Sequence, residues 1–328
     1  MADVTHTHPG YEMGRPASTA AARVFRAGLL LGALGLLASA FVIVRLFEVW
    51  RIAPRAGSHE ISVLGTTLAY PGGNADAIVI LALAAVGFVV IGIAVVAAGE
   101  EIAGALHLSR RLTAAGPVPR DGALVIEDDV PRAFCAGLFR PRTYVSSAAV
   151  ALLDEEALEA VLAHERHHAE RRDPLRLATM RVMARALFFL PPLAALARRQ
   201  VSLAELSADE DAVVAASGDR SALARAMLVF SESGSSADGV GIDATRVDHL
   251  LGEPQNWRFP AVLCLATAFV LTLIVAVAVL AGNVAAGSAT LALPFVSRQP
   301  CIVVLAMIPA AVALLGGYFA TIQRGATK

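Results

Sequence analysis

Long uncharged stretches alternate along the chain with stretches rich in arginine and acidic residues. Four of them are long enough to cross a hydrocarbon core of about 30 Å at a helical rise of about 1.5 Å per residue. We therefore predict four transmembrane helices, at residues 25–46, 77–99, 259–281 and 300–322. A cleaved signal peptide is the alternative for the first, but a polar tail precedes it and no clear small-residue cleavage site lies before Arg45.

These spans predict four parts of the chain. They are a polar tail (1–24), a transmembrane hairpin (25–99), a central domain (100–257) and a second transmembrane hairpin (258–328). The central part has the size of an ordinary domain. Nearly all side chains able to do chemistry lie in it, so we look for function there.

The central domain begins with a pattern typical of short strands. Apolar segments at 123–127, 133–137 and 143–147 are separated by the turn-forming residues Asp128, Pro131, Gly137 and Pro141. A helix is predicted next, from about Asp154 to Arg172, because Asp154 can cap it and acidic residues fill its first turn. This part of the chain is therefore expected to combine strands and helices.

Further helices are predicted at about 203–217 and 221–231, followed by a flexible Gly/Ser-rich linker to Gly241. An uncharged run at 186–197 contains Pro191 and Pro192. The run is too short and too interrupted for a membrane span. We interpret it as a helical hairpin that faces either the protein core or the membrane.

Composition supports a membrane protein and argues against two other classes. The 328 residues are 56% hydrophobic and 17% charged, with a mean hydropathy of +0.64, whereas about a quarter of the residues are charged in an ordinary soluble domain. The 27 basic and 28 acidic side chains nearly balance, so no basic surface predicts direct nucleic-acid binding. The three cysteines form no CxxC pair and predict no disulfide framework.

Arginine placement predicts the orientation in the membrane. Arginines precede the first span, flank the central domain and follow the last span, and the loop before the last span has only Arg298. Arg51 and Arg55, just beyond the first span, count in the opposite direction. The balance places the central domain and both termini in the cytoplasm of a multi-pass cell-membrane protein.

The strongest chemical signal is a His-Glu-x-x-His pattern on the first predicted helix of the domain. His164 and His168 are one helical turn apart, so both imidazoles can reach one zinc ion, and Glu165 can act on the water at its open position. His167 could pair with His164 instead, although that pairing places Glu165 less suitably. We expect His167 and Arg166 to be solvated or to contact a neighbouring surface.

A catalytic zinc ion needs a third protein ligand. On the next predicted helix, Glu205 and Asp209 share one face, so we expect Glu205 to bind the metal and Asp209 to orient an imidazole through its other ring nitrogen. The competing acidic residues are Glu170, Asp173, Glu210 and Asp211. The other interpretation of this cluster is a charged helix surface exposed to water.

Several segments together resemble a known family. They are residues 134–145, 158–168 with its HExxH motif, Arg171 to Asp173, and the Glu205-Leu206-Ser207-Ala208-Asp209 stretch. These segments resemble the protease domain of the β-lactam sensor-transducer (Bla/Mec antirepressor) integral-membrane metallopeptidases. More distantly, they are similar to the HtpX and CAAX prenyl proteases.

The resemblance implies a mainly α membrane protein, with four transmembrane helices and an inserted α+β gluzincin-type metalloprotease domain. It implies zinc held by His164, His168 and Glu205, with Glu165 as the catalytic base. Family members of the sensor type cleave a cytosolic transcriptional repressor after an extracellular domain binds an antibiotic. The sequence ends six residues after Ile322, so we expect no such sensor domain and a separate sensor protein, another signal or constitutive activity in its place.

The predicted function is thus a membrane-embedded zinc endopeptidase acting on a protein or peptide, such as a repressor. The alternatives are a membrane-protein quality-control protease and a non-catalytic membrane scaffold or receptor, against which the intact Glu165 argues. An oxyanion donor is also needed, and the candidates are Arg220, Arg225, Tyr144 and His249. The strand at 133–137 could bind an extended substrate by β-augmentation, or be a simple core strand.

Overall fold

The computed structural model describes residues 17–53, 59–63, 66–70, 74–232, 246, 258–286 and 289–292. The chain forms two compact units. The first contains residues 1–29, 99–181 and 194–260, and the second contains 30–98, 182–193 and 261–328. Long helices pass from one unit into the other, so sequence segments and compact units do not coincide.

Three helices in the described residues are long and apolar enough to cross a membrane. They are α1 (Ala17–Val49), α2 (Ala75–Ala114) and α8 (Ala261–Ala285). Three of the four predicted spans therefore fall on membrane-length helices. The fourth, at 300–322, lies outside the described residues. Helix α2 continues past its apolar part, through Glu100 and Glu101, to Ala114.

The second unit also contains short strands that the sequence did not predict. Strand β1 (Trp50–Ala53) pairs in parallel with β8 (Ala289–Ala292), and β2 (His59–Val63) pairs with β3 (Thr66–Tyr70) in an antiparallel hairpin. These strands lie in the two segments expected to be short loops between spans. Those loops therefore contain regular structure.

A four-stranded sheet in the first unit has the strand order β4-β5-β7-β6. Its strands are β4 (Val118–Arg120), β5 (Ala123–Ile126), β6 (Ala133–Ala136) and β7 (Arg142–Ser146), and only the β5–β7 pair is parallel. The predicted strands at 123–127, 133–137 and 143–147 are confirmed to within one residue. Strand β6 is at an edge of this sheet.

Five helices follow the sheet along the chain, between residues 147 and 232. After α3 (Ser147–Leu152), the helix α4 (Glu155–Arg171) begins at Asp154, whose carboxylate accepts a hydrogen bond from the Ala157 N–H at 2.7 Å. Helix α4 ends at Arg172, in a left-handed conformation with φ 54°. The predicted helix 154–172 is confirmed, and the turn at Arg172 starts α5 (Asp173–Ala186) at once.

Helix α6 (Pro191–Ala215) starts earlier than predicted. The sequence suggested a helix from about 203 and a separate apolar hairpin at 186–197, but one helix runs from Pro191 through Glu205 and Asp209. Proline is well tolerated in a first helical turn, where it removes N–H groups that would have no partner. The next helix, α7 (Arg220–Glu232), matches the prediction of 221–231.

The hydrophobic core of the first unit lies between the sheet and helix α4. Residues of β5, β6 and β7 pack there with α3, α4 and α7; the buried side chains include Val145, Val161, Leu223, Met227 and Phe230. Burying a side chain of this size stabilises a fold by about 1.5–3 kcal/mol. This packing fixes one side of α4 on the sheet.

Candidate metal centre

One face of α4 carries three functional side chains that are almost fully buried. His164, Glu165 and His168 are 1%, 3% and 9% exposed. The spacing of His164 and His168 places their imidazoles on the same face of the helix, and their Nε2 atoms are 3.2 Å apart. The HExxH residues therefore converge as the sequence predicted.

Glu205 on α6 completes a triangle of ligand atoms. Its Oε2 lies 3.5 Å from Nε2 of His164, and its Oε1 lies 3.6 Å from Nε2 of His168. Two ligands at 2.0–2.1 Å from a tetrahedral zinc ion are about 3.3–3.4 Å apart. These separations are close to this value, but they involve both oxygens of Glu205; with one ligand atom from each residue, the three atoms lie within 4.8 Å of one another, which is compact enough for one metal ion.

The hydrogen-bond state of Glu205 also fits a metal. Its Oε2 atom is buried and accepts no hydrogen bond within the described part of the chain. Leaving a buried carboxylate oxygen unsatisfied is costly. The guanidinium of Arg246, 3.4 Å away, offsets part of this cost; a coordinated cation can offset the rest, and the His, His and carboxylate donor set is one that zinc commonly has in enzymes.

Each histidine of the triangle has a carboxylate at its other ring nitrogen. Nδ1 of His164 lies 3.0 Å from Asp209, and Nδ1 of His168 lies 2.9 Å from Asp173. Such a partner keeps the proton on Nδ1 and leaves the Nε2 lone pair for the metal. The sequence predicted this role for Asp209, but it treated Asp173 only as a competing ligand.

Arg246 is part of the site, although sequence reasoning used it only for orientation. Its Nε and Nη2 atoms donate to the two carboxylate oxygens of Asp209 at 2.8 and 2.5 Å, and its Nη1 lies 3.4 Å from Oε2 of Glu205. The guanidinium is almost fully buried. Arg246 is 37 residues from Asp209, so no helical periodicity links them and no local pattern could have found the contact.

The charges of this cluster shift its pKa values. Burial disfavours the charged form of His164, but Asp209 and Glu205 outweigh this effect and raise the pKa of His164 to about 10. Burial also opposes the charged form of Asp209, yet His164 and Arg246 hold the pKa of Asp209 below its usual range. The acidic groups thus create a strong demand for a positive charge at the triangle, which a metal ion meets in place of a proton.

Glu165 lies in a different environment from Glu205. Burial raises the pKa of Glu165, and the charges of His164 and His168 partly oppose this rise. For Glu205, the contacts with His164 outweigh burial and lower the pKa. Neighbouring carboxyl groups with opposite pKa shifts suit different tasks, proton transfer for Glu165 and metal binding for Glu205.

His167 does not join the triangle. Its Nδ1 lies 2.5 Å from Asp211 and its Nε2 lies 2.9 Å from the hydroxyl of Ser207, so its ring links α4 to α6. Of the two alternatives expected for His167, solvation is wrong because the side chain is buried, and it contacts a neighbouring helix instead; Arg166 is exposed. Ser207, His167 and Asp211 resemble a hydrolytic triad in type, but Ser207 is 1% exposed and cannot reach a substrate.

The other candidates from the sequence lie elsewhere. Glu210 accepts hydrogen bonds from the Ala17 N–H, and Glu170 is exposed. Arg225 pairs with Asp154 and Glu156 at the opposite end of α4 from the histidines. Among the remaining oxyanion candidates, Tyr144 stacks on Phe134, Arg220 is exposed at the start of α7, and His249 lies outside the described residues.

Strand β6 lies next to the site. Helix α4 packs against both β6 and β7. Burial and then the negative charges of Glu165 and Asp173 raise the pKa of Cys135, in the middle of β6, to about 12. Strand β6 therefore lies close to Glu165 and Asp173.

The site defines a class of protein. A buried histidine, histidine and glutamate triangle beside a second glutamate, in a chain with three membrane-length helices, is typical of membrane metallopeptidases. The family model of the BlaR1 peptidase, M56, matches residues 55–245. This is more than half of the chain, which therefore belongs to that family and is a membrane-associated metallopeptidase. No curated protein and no solved structure matches the chain.

Proposed function

We propose that this protein is a zinc-dependent endopeptidase embedded in the cell membrane, with His164, His168 and Glu205 as metal ligands and Glu165 as the catalytic base. The grouping of His164, His168 and Glu205, whose ligand atoms lie within 4.8 Å of one another beside the buried Glu165, carries this proposal. The M56 family membership supports it.

The chain's own residues account for most of the mechanism. A zinc ion in the triangle would lower the pKa of its water towards about 7 and polarise the scissile carbonyl. Glu165 would take a proton from the attacking water and deliver it to the amide nitrogen of the leaving group. Asp209 and Asp173 would hold His164 and His168 in the tautomer that binds metal, and Arg246 would hold Asp209.

Strand β6 is the proposed binding edge for an extended substrate. Ser146 N–H donates to the Arg132 carbonyl at 2.9 Å, and hydrogen-bonded pairs alternate along an antiparallel ladder. The main-chain N–H and C=O groups of Phe134 and Ala136 therefore form the hydrogen bonds to β7. The main-chain groups of Ala133 and Cys135 point to the open edge. A peptide added here would lie alongside Glu165.

The proposed substrate is a cytosolic regulator such as a transcriptional repressor. Arginines near the span ends favour a cytoplasmic metal domain, where soluble proteins are available. A separate sensor protein would supply the signal. Comparing the cytosolic and membrane proteomes of cells that express wild type or Glu165→Gln tests this: loss of one intact regulator supports signalling, and broad loss of misfolded membrane proteins supports quality control instead.

Zinc content and proteolysis, measured together, test the site. We expect His164→Ala to lose both, because a ligand is gone, and Glu165→Gln to keep zinc while activity falls by roughly 10²–10⁴-fold, because only the base is lost. His167→Ala is the matched control and should keep its zinc, since His167 bonds Ser207 and Asp211. Zinc content in His164→Ala equal to that of wild type would refute the ligand assignment.

A further inference from the structure

The turn between α5 and α6 has an apolar exterior. Phe188 and Phe189 are 62% and 42% exposed, although they are large aromatic side chains next to fully buried leucines. Between Arg181 and Arg198 the only charged residue is Arg185. The turn therefore presents to its surroundings a surface that water solvates poorly.

The inner side of the same turn packs against residues of the three membrane-length helices. Leu187, Leu190 and Leu193 are buried in one cluster with residues of α1, α2 and α8; these are Leu31, Val90, Ile93 and Leu271. Ile93 is seven residues before Glu100, which is about 10 Å along a helix. The partners of the turn thus belong to the apolar parts of the spans and not to their charged ends.

Glycines of α1 allow this close packing. A Cβ atom at Gly32 would come within 2.3 Å of the Met183 sulfur, and one at Gly35 within 2.7 Å of Leu187. Small residues that let helices approach closely are typical of helix packing in membranes. A larger side chain at either glycine would require Met183 or Leu187 to move.

Three backbone N–H groups of the turn have the partners that an environment without water requires. In a bilayer, every polar backbone group must find a partner in the protein. The N–H groups of Leu187, Leu190 and Leu193 donate to carbonyls of the same hairpin. The first turn of α6 begins with Pro191 and Pro192, which have no N–H group, so two donors that most helices leave unpaired are absent here.

We propose that this hairpin is a re-entrant membrane element, with Phe188 and Phe189 in contact with lipid acyl chains. Lipid is the expected contact because the turn packs against the apolar parts of the membrane-length helices. Lipid covers the outer surface of these same parts. Arg185 is half-buried one turn before the tip, and its long side chain can extend towards the headgroups. This proposal does not depend on zinc binding or on proteolysis.

Spin labelling of the full-length protein in liposomes tests the proposal. The three native cysteines are replaced by alanine, and single cysteines at positions 188, 189, 269 and 152 carry a nitroxide. Phe269 lies on the membrane-length helix α8 and is 69% exposed, while Leu152 is 59% exposed beside the acidic residues 154–156. Collisions with oxygen, which concentrates in the bilayer, are compared with collisions with a water-soluble nickel chelate.

We expect the labels at 188 and 189 to prefer oxygen, as the label at 269 should, and the label at 152 to prefer the nickel chelate. A preference for nickel at 188 and 189 would place the turn in water and overturn the proposal. Protection of both labels from both reagents would also overturn it, because a protein segment such as the predicted span 300–322, or a second copy of the chain, would then cover the turn.

Discussion

At the residue scale, Arg246 is the side chain whose importance the structure adds. Its guanidinium holds Asp209 through two hydrogen bonds and lies beside the ligand Glu205. Without it, two buried carboxylates lose their compensating charge, and Asp209 loses the partner that fixes its orientation. Groups that orient metal ligands typically affect metal affinity by 10–100-fold.

Arg246→Gln is therefore expected to weaken zinc affinity by about 10–100-fold, measured by competition with a chelator, while the unliganded protein still inserts in membranes. Arg225→Gln is the matched control, because Arg225 also pairs with two acidic residues, but at the exposed start of α4. Equal zinc affinity in both variants would mean that Arg246 does not support the metal site.

At the scale of elements, strand β6 and its turn connect the sheet to the metal site. Gly137 follows β6 with φ 113°, and a Cβ there would lie 2.6 Å from the carbonyl oxygen of Arg140. Only glycine fits such a tight turn without strain. Gly137 and Pro141 thus lie at the two ends of the turn between β6 and β7.

The proposed substrate edge predicts a specific effect of proline at Cys135. Cys135→Pro removes an N–H that points away from β7, so we expect proteolysis of an unfolded substrate to fall at least 10-fold while zinc is retained. Cys135→Ala keeps the N–H and serves as the control, with near wild-type activity. If the proline variant cleaves as fast as the alanine variant, the substrate does not use this edge.

At the scale of the whole molecule, the side of the membrane that the metal domain faces determines which proteins it can reach. The arginine distribution favours the cytoplasm. A reporter fused near Ala237 should then behave as cytoplasmic, and a reporter inserted near Gly287 should behave as external. The reverse result would remove cytosolic regulators from the possible substrates, although the metal site itself would be unaffected.

Local patterns in the sequence determined much of this protein. The apolar runs predicted the three described membrane-length helices, and the Asp154 cap and arginine-rich end predicted α4, because such signals act within a few residues. The HExxH spacing determined that His164 and His168 meet, since a helix places residues four apart on one face. The β4–β5 hairpin was not predicted, although Asp-Gly is a sequence pair typical of two-residue hairpin turns. In the structure, Asp121 and Gly122 both have the positive φ values of such a turn.

Tertiary packing decided what lies beyond the reach of these signals. The contact of Asp173 with His168 forms because the chain turns at Arg172. The contact of Arg246 with Asp209 joins residues 37 positions apart, beyond the range of any local pattern. Likewise, Pro191 and Pro192 are compatible with a helix start, but only the burial of Leu187, Leu190 and Leu193 against the spans shows that α6 begins there. Sequence spacing brings together groups on one helix, whereas groups on different helices meet only when the core between them has formed.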